Sequence, residues 1–226
     1  MGRCHAPPLV QDPVRLGATE TRAMATRLSI FPLTGAILFP GLQLPLHIFE
    51  PRYRELVGDA LVRDRQIAMI QPQRSAEGAP LYSIGCVGKI GEIEAMDDGR
   101  YNLVLEGQSR FRMIKELDVV TTFRQVEAEL IEDDESTALS PVERAGFEQQ
   151  ARKFADRQGY SVDWDSVERL DDHSLINGVS QIAPFDPASK QALLEAETLN
   201  ARCELLIQLM QFYGRTDGDE EIITLQ

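Results

Sequence analysis

Cysteine is scarce in this chain. There are three, Cys4, Cys86 and Cys203, far apart and without a C-x-x-C among them. That spacing excludes a disulfide framework and a cysteine-built zinc site, and it fits a reducing, cytoplasmic setting. Cys4 and His5 are adjacent, but no second pair of ligands accompanies them, so neither a metal nor any other cofactor is expected. Long apolar runs are also missing. None approaches the roughly 18 residues of a membrane span, and the N-terminus lacks the apolar central region of a secretory signal. Basic residues are outnumbered, 23 Lys and Arg against 36 Asp and Glu, for a net charge of -13. They are scattered among the acids, so no basic patch forms. Such a surface repels phosphate backbones and anionic membranes, which removes nucleic acid and membrane from the expected partners.

Catalytic signatures are absent as well. Gly88-Lys89 lacks a glycine five residues before Gly88 and is followed by Ile90, so no phosphate cradle of the P-loop kind can form. Gly107-Gln108-Ser109 and Gly178-Val179-Ser180 each miss the last glycine of a nucleophile elbow. His47 stands between apolar neighbours and reads as a structural histidine, hydrogen-bonded beneath the edge of a sheet. His173 follows Asp171 and Asp172, acids that suit a helix N-terminus. Cys86 reads as a buried, inert thiol, and Glu92 and Glu94 as a solvated strand face. No catalytic residue is expected.

What is present is 43% hydrophobic residues, enough for a globular core. Residues 1–26 carry three prolines and no periodic apolar pattern, which predicts a disordered extension; Met24 is a candidate for the true start. A strand is expected over 27–33. Phe39-Pro40-Gly41 is a turn. Leu42, Leu44, Leu46 and Ile48 then alternate with polar positions, and Pro45 places that strand at an edge or bulge. From Glu50 to about Asp64 the period becomes helical, with Glu50 and Arg54 positioned to pair across one turn. Further strands are expected over 66–71 and 82–96. A hairpin follows at Asp97-Asp98-Gly99. Beyond it a strand through Tyr101, Leu103 and Leu105 ends in a turn at 107–109, another holds Phe111 to Ile114, and a last one covers 123–131. Seven or so short antiparallel strands with one inserted helix predict a closed or nearly closed barrel.

After Ser140 everything reads as helix. Ser140-Pro141-Val142-Glu143 is a capping box with Pro at the first helical position, and Gly159 is the stop. A short helix after Asp163 and another over 173–182 follow. Asp186-Pro187 opens the longest helix, expected to run unbroken to Gly214. The domain organisation is thus a β-rich unit over 27–135, an α-helical unit over 140–214 and an acidic tail over 215–226. The apolar faces of the last helix allow self-association.

Two stretches carry a family likeness. One is Phe31-Pro32-Leu33, Leu38-Phe39-Pro40-Gly41 and Leu44-Pro45-Leu46-His47-Ile48-Phe49-Glu50-Pro51-Arg52-Tyr53. The other runs from Ile182-Ala183 through Lys190-Gln191-Ala192-Leu193-Leu194-Glu195 to Arg202 and Leu209. Together, over 28–211, they resemble the N-terminal substrate-binding domain of the ATP-dependent Lon proteases. The resemblance implies an α+β fold, a PUA-like β pseudo-barrel followed by an α-helical bundle. Lon proteases continue into an ATPase and a Ser/Lys protease domain, and this chain stops where those would begin. The expectation is a stand-alone, non-catalytic member, similar to small bacterial proteins.

The resemblance also implies an unfolded or partly folded polypeptide as ligand, and a separate protease to which an adaptor would hand its clients. The candidate binding residues are Phe39, Leu42, Phe49, Glu50, Arg52 and Tyr53. Two readings stay open for them. Glu50, Arg52 and Tyr53 form either a recognition patch or a clamp at the helix start. Phe39 and Leu42 either form an exposed apolar patch or close the barrel. Binding is expected in a groove, through apolar anchors and backbone pairing to an open sheet edge. The competing functions are RNA binding, known for some PUA-like domains, and a small hydrolase with a convergent site.

Overall fold

The computed structural model describes residues 25–76, 78–134 and 136–216. Met24, the sequence before it and residues 217–226 lie outside the described residues. Among the described residues the order is β1 (Thr26–Pro32), β2 (Gln43–Ile48), α1 (Pro51–Val62), β3 (Gln66–Ile70), β4 (Ile84–Ala95), β5 (Tyr101–Glu116) and β6 (Gln125–Ile131), then α2 (Pro141–Gln158), α3 (Trp164–Glu168), α4 (Asp172–Ile182), α5 (Pro187–Glu195) and α6 (Leu199–Thr216). This is the α+β arrangement, a pseudo-barrel followed by helices. No helix among the described residues is long and apolar enough to cross a membrane.

The strands lie in the order β2-β5-β4-β3-β1-β6, and β6 returns to pair with β5. Five strands therefore close a ring, and β2 flanks it. The count is six rather than seven, and one pair, β1 with β3, is parallel. The reason is α1, which lies on the crossover between them. A parallel pair needs such a crossover, and the helix supplies it. Successive β3 residues alternate between two apolar clusters: Ile67 and Met69 join Leu56 and Val57 of α1, while Ala68 and Ile70 join Phe111 and Val126. That is the period of a strand buried on both faces.

The expected turn at 107–109 does not form. β5 runs unbroken for 16 residues; its first part pairs with β2 and its last part with β6. Gly107 serves a close approach instead of a bend. A Cβ there would overlap the Phe39 carbonyl oxygen. The Gly107 N–H donates to Leu42 O at 2.8 Å, and Gly41 N–H donates to Gly107 O at 2.9 Å. Gly41, at φ 78, makes the turn that presents these groups.

The helix-capping chemistry is as read. Ser140 and Glu143 close the capping box, and Gly159 ends α2 at φ 70. Asp163, Asp171 and Asp186 each accept from the N–H of the serine three residues on. The expected long helix, however, breaks between Glu195 and Leu199. Thr198 Oγ1 caps α6 by accepting from Ala201 N at 3.1 Å. Two buried arginines take the carbonyls at the break. Arg110 donates to Leu194 O and Ala196 O at 2.8 and 2.7 Å, and Arg202 to Leu193 O at 2.9 Å. The carbonyls that a helix end leaves without partners are thereby satisfied.

Cys86 and Cys203 are free and buried. Burial pushes both thiols up, Cys203 to about 11 with help from the charges of Glu143, Glu204 and Asp172. Neither is expected to react with Ellman's reagent at pH 8 while the protein is folded. In a Cys4→Ser variant the native protein should release no colour, and guanidinium should expose two thiols per chain.

Candidate functional site

The sequence-predicted site residues do not form one surface. Phe39 is fully buried. It joins the helical core, with the Arg202 guanidinium 5.7 Å from its ring centroid. Leu42 packs half-buried against the same cluster. The turn that holds them thus docks the barrel onto the helices, the second of the two readings open for Phe39 and Leu42. Tyr53 is also interior, 4.1 Å from the Phe31 ring. Glu50 occupies the N-cap of α1, but its carboxylate makes no cap. It accepts from Arg52 Nε at 3.0 Å, and Arg52 lies over the Tyr53 ring. Of the contacts expected for a helix-start clamp, the local Glu50–Arg52 pair and the packing of Tyr53 are present, and the Glu50 cap is not. The expected Glu50–Arg54 pair gives way to Glu50–Arg52, and Arg54 instead lies against Gly99 of the hairpin. Phe49 alone of the six is strongly exposed, at 60%.

His47 stands on the outer face of β2 rather than beneath the sheet edge. It is exposed and 2.7 Å from Asn102 Oδ1. The strand period explains this, because Ile48 faces inward and its neighbour must face out. The β2 edge is also less open than expected. Pro45 offers no N–H. The Gln181 side chain donates to Gln43 O at 2.8 Å and accepts from Phe39 N at 3.1 Å. An added strand would therefore find neither a donor at Pro45 nor a free carbonyl at Gln43.

Two larger openings lie elsewhere. A cleft of about 800 Å³ separates barrel from helices and is lined by Asp133, Arg144, Asp172, His173, Asn177 and Arg202, among others. Most of its charged groups have partners within the chain. Asp172 accepts from Arg144 and from Leu139 N, His173 Nε2 meets Thr137 O at 3.0 Å, and Arg202 donates to Asn177 Oδ1 at 2.7 Å. The cleft is a polar seam that joins the two parts. Among the described residues no group of three His, Cys, Asp or Glu could hold a metal ion.

The second opening is apolar. A groove of about 670 Å³ lies between α2, α3 and α4, floored by Phe147, Phe154, Leu175 and Met210 and walled by Trp164 and Val179. Its rim includes Tyr160, Leu170 and Ile182, exposed at 48%, 44% and 79%. Gly178 widens it, since a Cβ there would meet nothing within 4 Å. Arg152 lies 4.3 Å from the Trp164 ring centroid and fixes that wall. Capping places the elements: Gly159 turns the chain out of α2, and Asp163 and Asp171 start α3 and α4 around the opening. Sequence reasoning missed this groove. Val179 and Ile182 sit at helical spacing that reads as core, and only the packing of separate elements leaves them uncovered. Apolar side chains that line a concave, partly exposed surface can hold apolar side chains of a ligand.

Comparison with known proteins gives a consistent picture. The family model described as the ATP-dependent protease La (LON) substrate-binding domain matches residues 27–211. The chain is 30% identical over 193 residues to Lon protease 2 of Myxococcus xanthus, covering 81% of this chain and 23% of that protein. It thus spans about a quarter of the length of that relative. A crystal structure of a Lon N-terminal domain protein from Xanthomonas campestris superposes with a TM-score of 0.64 at 22% identity, over 81% of this chain and 98% of that one. The N-terminal domain of a Mycobacterium avium complex Lon protease gives 0.63 at 19% identity, over 82% and 98%.

Proposed function

Because the chain belongs to the LON substrate-binding domain family, we propose that it binds unfolded or partly folded polypeptide, with apolar side chains of the ligand seated in the groove between α2, α3 and α4. The observation that carries this reading is the groove itself: an apolar cavity of about 670 Å³ whose rim leaves Ile182 79% exposed. Exposed Tyr160, Leu170 and Ile182 around one apolar groove make the kind of surface that marks an interaction site. Phe49, next to the Glu50–Arg52 pair in the chain, offers a second exposed contact on the barrel. On this reading the chain holds polypeptide without cutting it and hands it to a separate protease.

The test is direct. Fluorescein-labelled, reduced and carboxymethylated α-lactalbumin, an unfolded polypeptide, should bind with an anisotropy change. Ile182→Asp should weaken that binding about tenfold, the loss of one well-placed anchor. Because the side chain is on the surface, the variant's stability should stay within about 0.5 kcal/mol of the parent. Equal binding by parent and variant would remove the groove from the function.

A further inference from the structure

The groove between α2, α3 and α4 selects the form of what it holds. We infer that it takes its ligand as a helix: the apolar face of an amphipathic segment whose polar face is basic. This rests on the reading of the groove as a polypeptide site and names the class of segment that fits it.

α4 lines the groove with Leu175, Gly178, Val179 and Ile182. α2 lines it with Phe147, Ala151, Phe154 and Ala155. Both sets recur at three- and four-residue spacing, which is one stripe of a helix. Both helices pack against α6, and Met210 of α6 lies on the floor between them. Two such stripes along one channel leave a place for a further helix of the bundle. The lengths agree. From Phe147 to Ala155, and from Ser174 to Ile182, each wall runs about 12 Å at about 1.5 Å per residue. A ligand helix with anchors at i, i+3, i+4 and i+7 spans about 11 Å.

Backbone chemistry points the same way. Among the described residues no strand lines the groove. Its walls are helices, whose backbone groups bond within them. Where the lining leaves the helices, the N–H groups of Gly159, Tyr160, Leu170 and Ala183 donate to carbonyls of this chain. Glu148 is held by Arg144, and Ser174 Oγ donates to Asp171. An extended ligand crossing the floor would turn N–H and C=O groups toward carbon, and each one left without a partner is costly. A helix arrives with those groups satisfied internally.

Charge selects the other face. From Gly159 to Ile182 the chain holds five acids, Asp163, Asp165, Glu168, Asp171 and Asp172, and Arg169 as the sole Lys or Arg. Arg152 takes Glu168, and Arg144 takes Asp172. Asp163, Asp165 and Asp171 are exposed and have no Lys or Arg partner among the described residues. They adjoin Trp164 and Leu170, which line the groove. Lysine or arginine on the polar face of a bound helix complements these carboxylates.

Trp164 is the sole tryptophan and walls the groove, so its emission reads occupancy by synthetic peptides that hold no aromatic residue. Three such peptides separate form from charge. QLKQLLKKLQKLLQ has leucine at helical spacing. QLKLQLKLQLKLQK has the same composition with leucine at strand spacing, and QLEQLLEELQELLQ replaces lysine by glutamate. The full chain should bind the first saturably and the second about tenfold more weakly. It should bind the third about tenfold more weakly at low salt, with that gap closing as salt rises. A Cβ at Gly178 meets nothing within 4 Å, so Gly178→Leu should fill the groove and remove the response to the first peptide. Its thermal midpoint should be no lower than the parent's, since leucine favours a helix more than glycine does. Equal affinity for the first two peptides overturns the helical form, and equal affinity for the first and third overturns the basic face. A Gly178→Leu variant that binds the first peptide unchanged places that peptide elsewhere and overturns the proposal. If no peptide moves the emission while labelled α-lactalbumin still binds through Ile182, the helical form falls and the polypeptide reading stands. If the first peptide binds and α-lactalbumin does not, the unfolded-polypeptide reading falls and the helix site stands.

Discussion

Arg110→Met should cost about 3 to 5 kcal/mol of folding stability, read as a lower denaturant midpoint. Arg110 is 3% exposed and comes from the middle of β5. It donates from Nε to both Asp133 oxygens at 3.1 Å and reaches the carbonyls of Leu194, Ala196 and Glu197. Methionine fills much of the space but donates nothing. It takes the donor from the Asp133 carboxylate and from the carbonyls of Leu194 and Glu197, while Ala196 O keeps its bond from Arg202 at 3.4 Å. Unsatisfied buried groups of this kind dominate the cost. Arg202 moderates it. Burial, and then the charge of Arg110, push Arg202 down to about 10. With Arg110 gone, Arg202 regains some of Asp133's attraction, which favours the lower end of the range. Adding Asp133→Leu to Arg110→Met should recover part of the loss, because the stranded charge goes too. Lys115→Ala, which removes an exposed pair with Glu127, should change stability by less than about 1 kcal/mol. If Arg110→Met matched Lys115→Ala, the buried network would have no role in joining barrel to helices.

The second large effect is at Gly107. Valine there is expected to cost about 3 kcal/mol or more, the upper range for overpacking, because the obstacle is backbone rather than a side chain that can swing away. The nearest atoms are the carbonyl oxygen and carbon of Phe39. To make room, the 39–41 turn must retreat, which breaks the paired hydrogen bonds to Leu42 and Gly41 and lifts Phe39 from the helical core. Gly41, by contrast, has nothing within 4 Å of its missing Cβ. It needs only a left-handed backbone, so Gly41→Asn should be mild, below about 1 kcal/mol. Thermal melts of the two variants separate close approach from backbone conformation. Equal shifts would show that Gly107 is not held by contact with the turn.

Most of the element boundaries were legible because local chemistry sets them. Ser140-Pro141-Val142-Glu143, the serines three residues after Asp163, Asp171 and Asp186, and the Asp97-Asp98-Gly99 hairpin state their structure within four residues. The failures share one cause, action at a distance. Gly107 looked like a turn because its partner, Phe39, is 68 positions away in sequence. The long helix looked continuous because its break is stabilised by Arg110 from a strand. Of the candidate site, Phe49 was found exposed, whereas Phe39 and Tyr53 were drawn inside. Within the motif quoted for the family likeness, Phe39, Pro40 and Leu42 contact the helices. The groove was illegible, since no single segment contains it.

The closing of the strand ring has a consequence for synthesis. Thr26 pairs with Ala128, so the first strand waits for one about a hundred residues downstream. At typical ribosomal speeds that wait lasts about 5 to 20 s. During it, Leu28, Ile30 and Phe31 have no complete barrel to enter. The nascent N-terminal half is itself, for those seconds, a partly folded polypeptide of the kind this protein is proposed to hold.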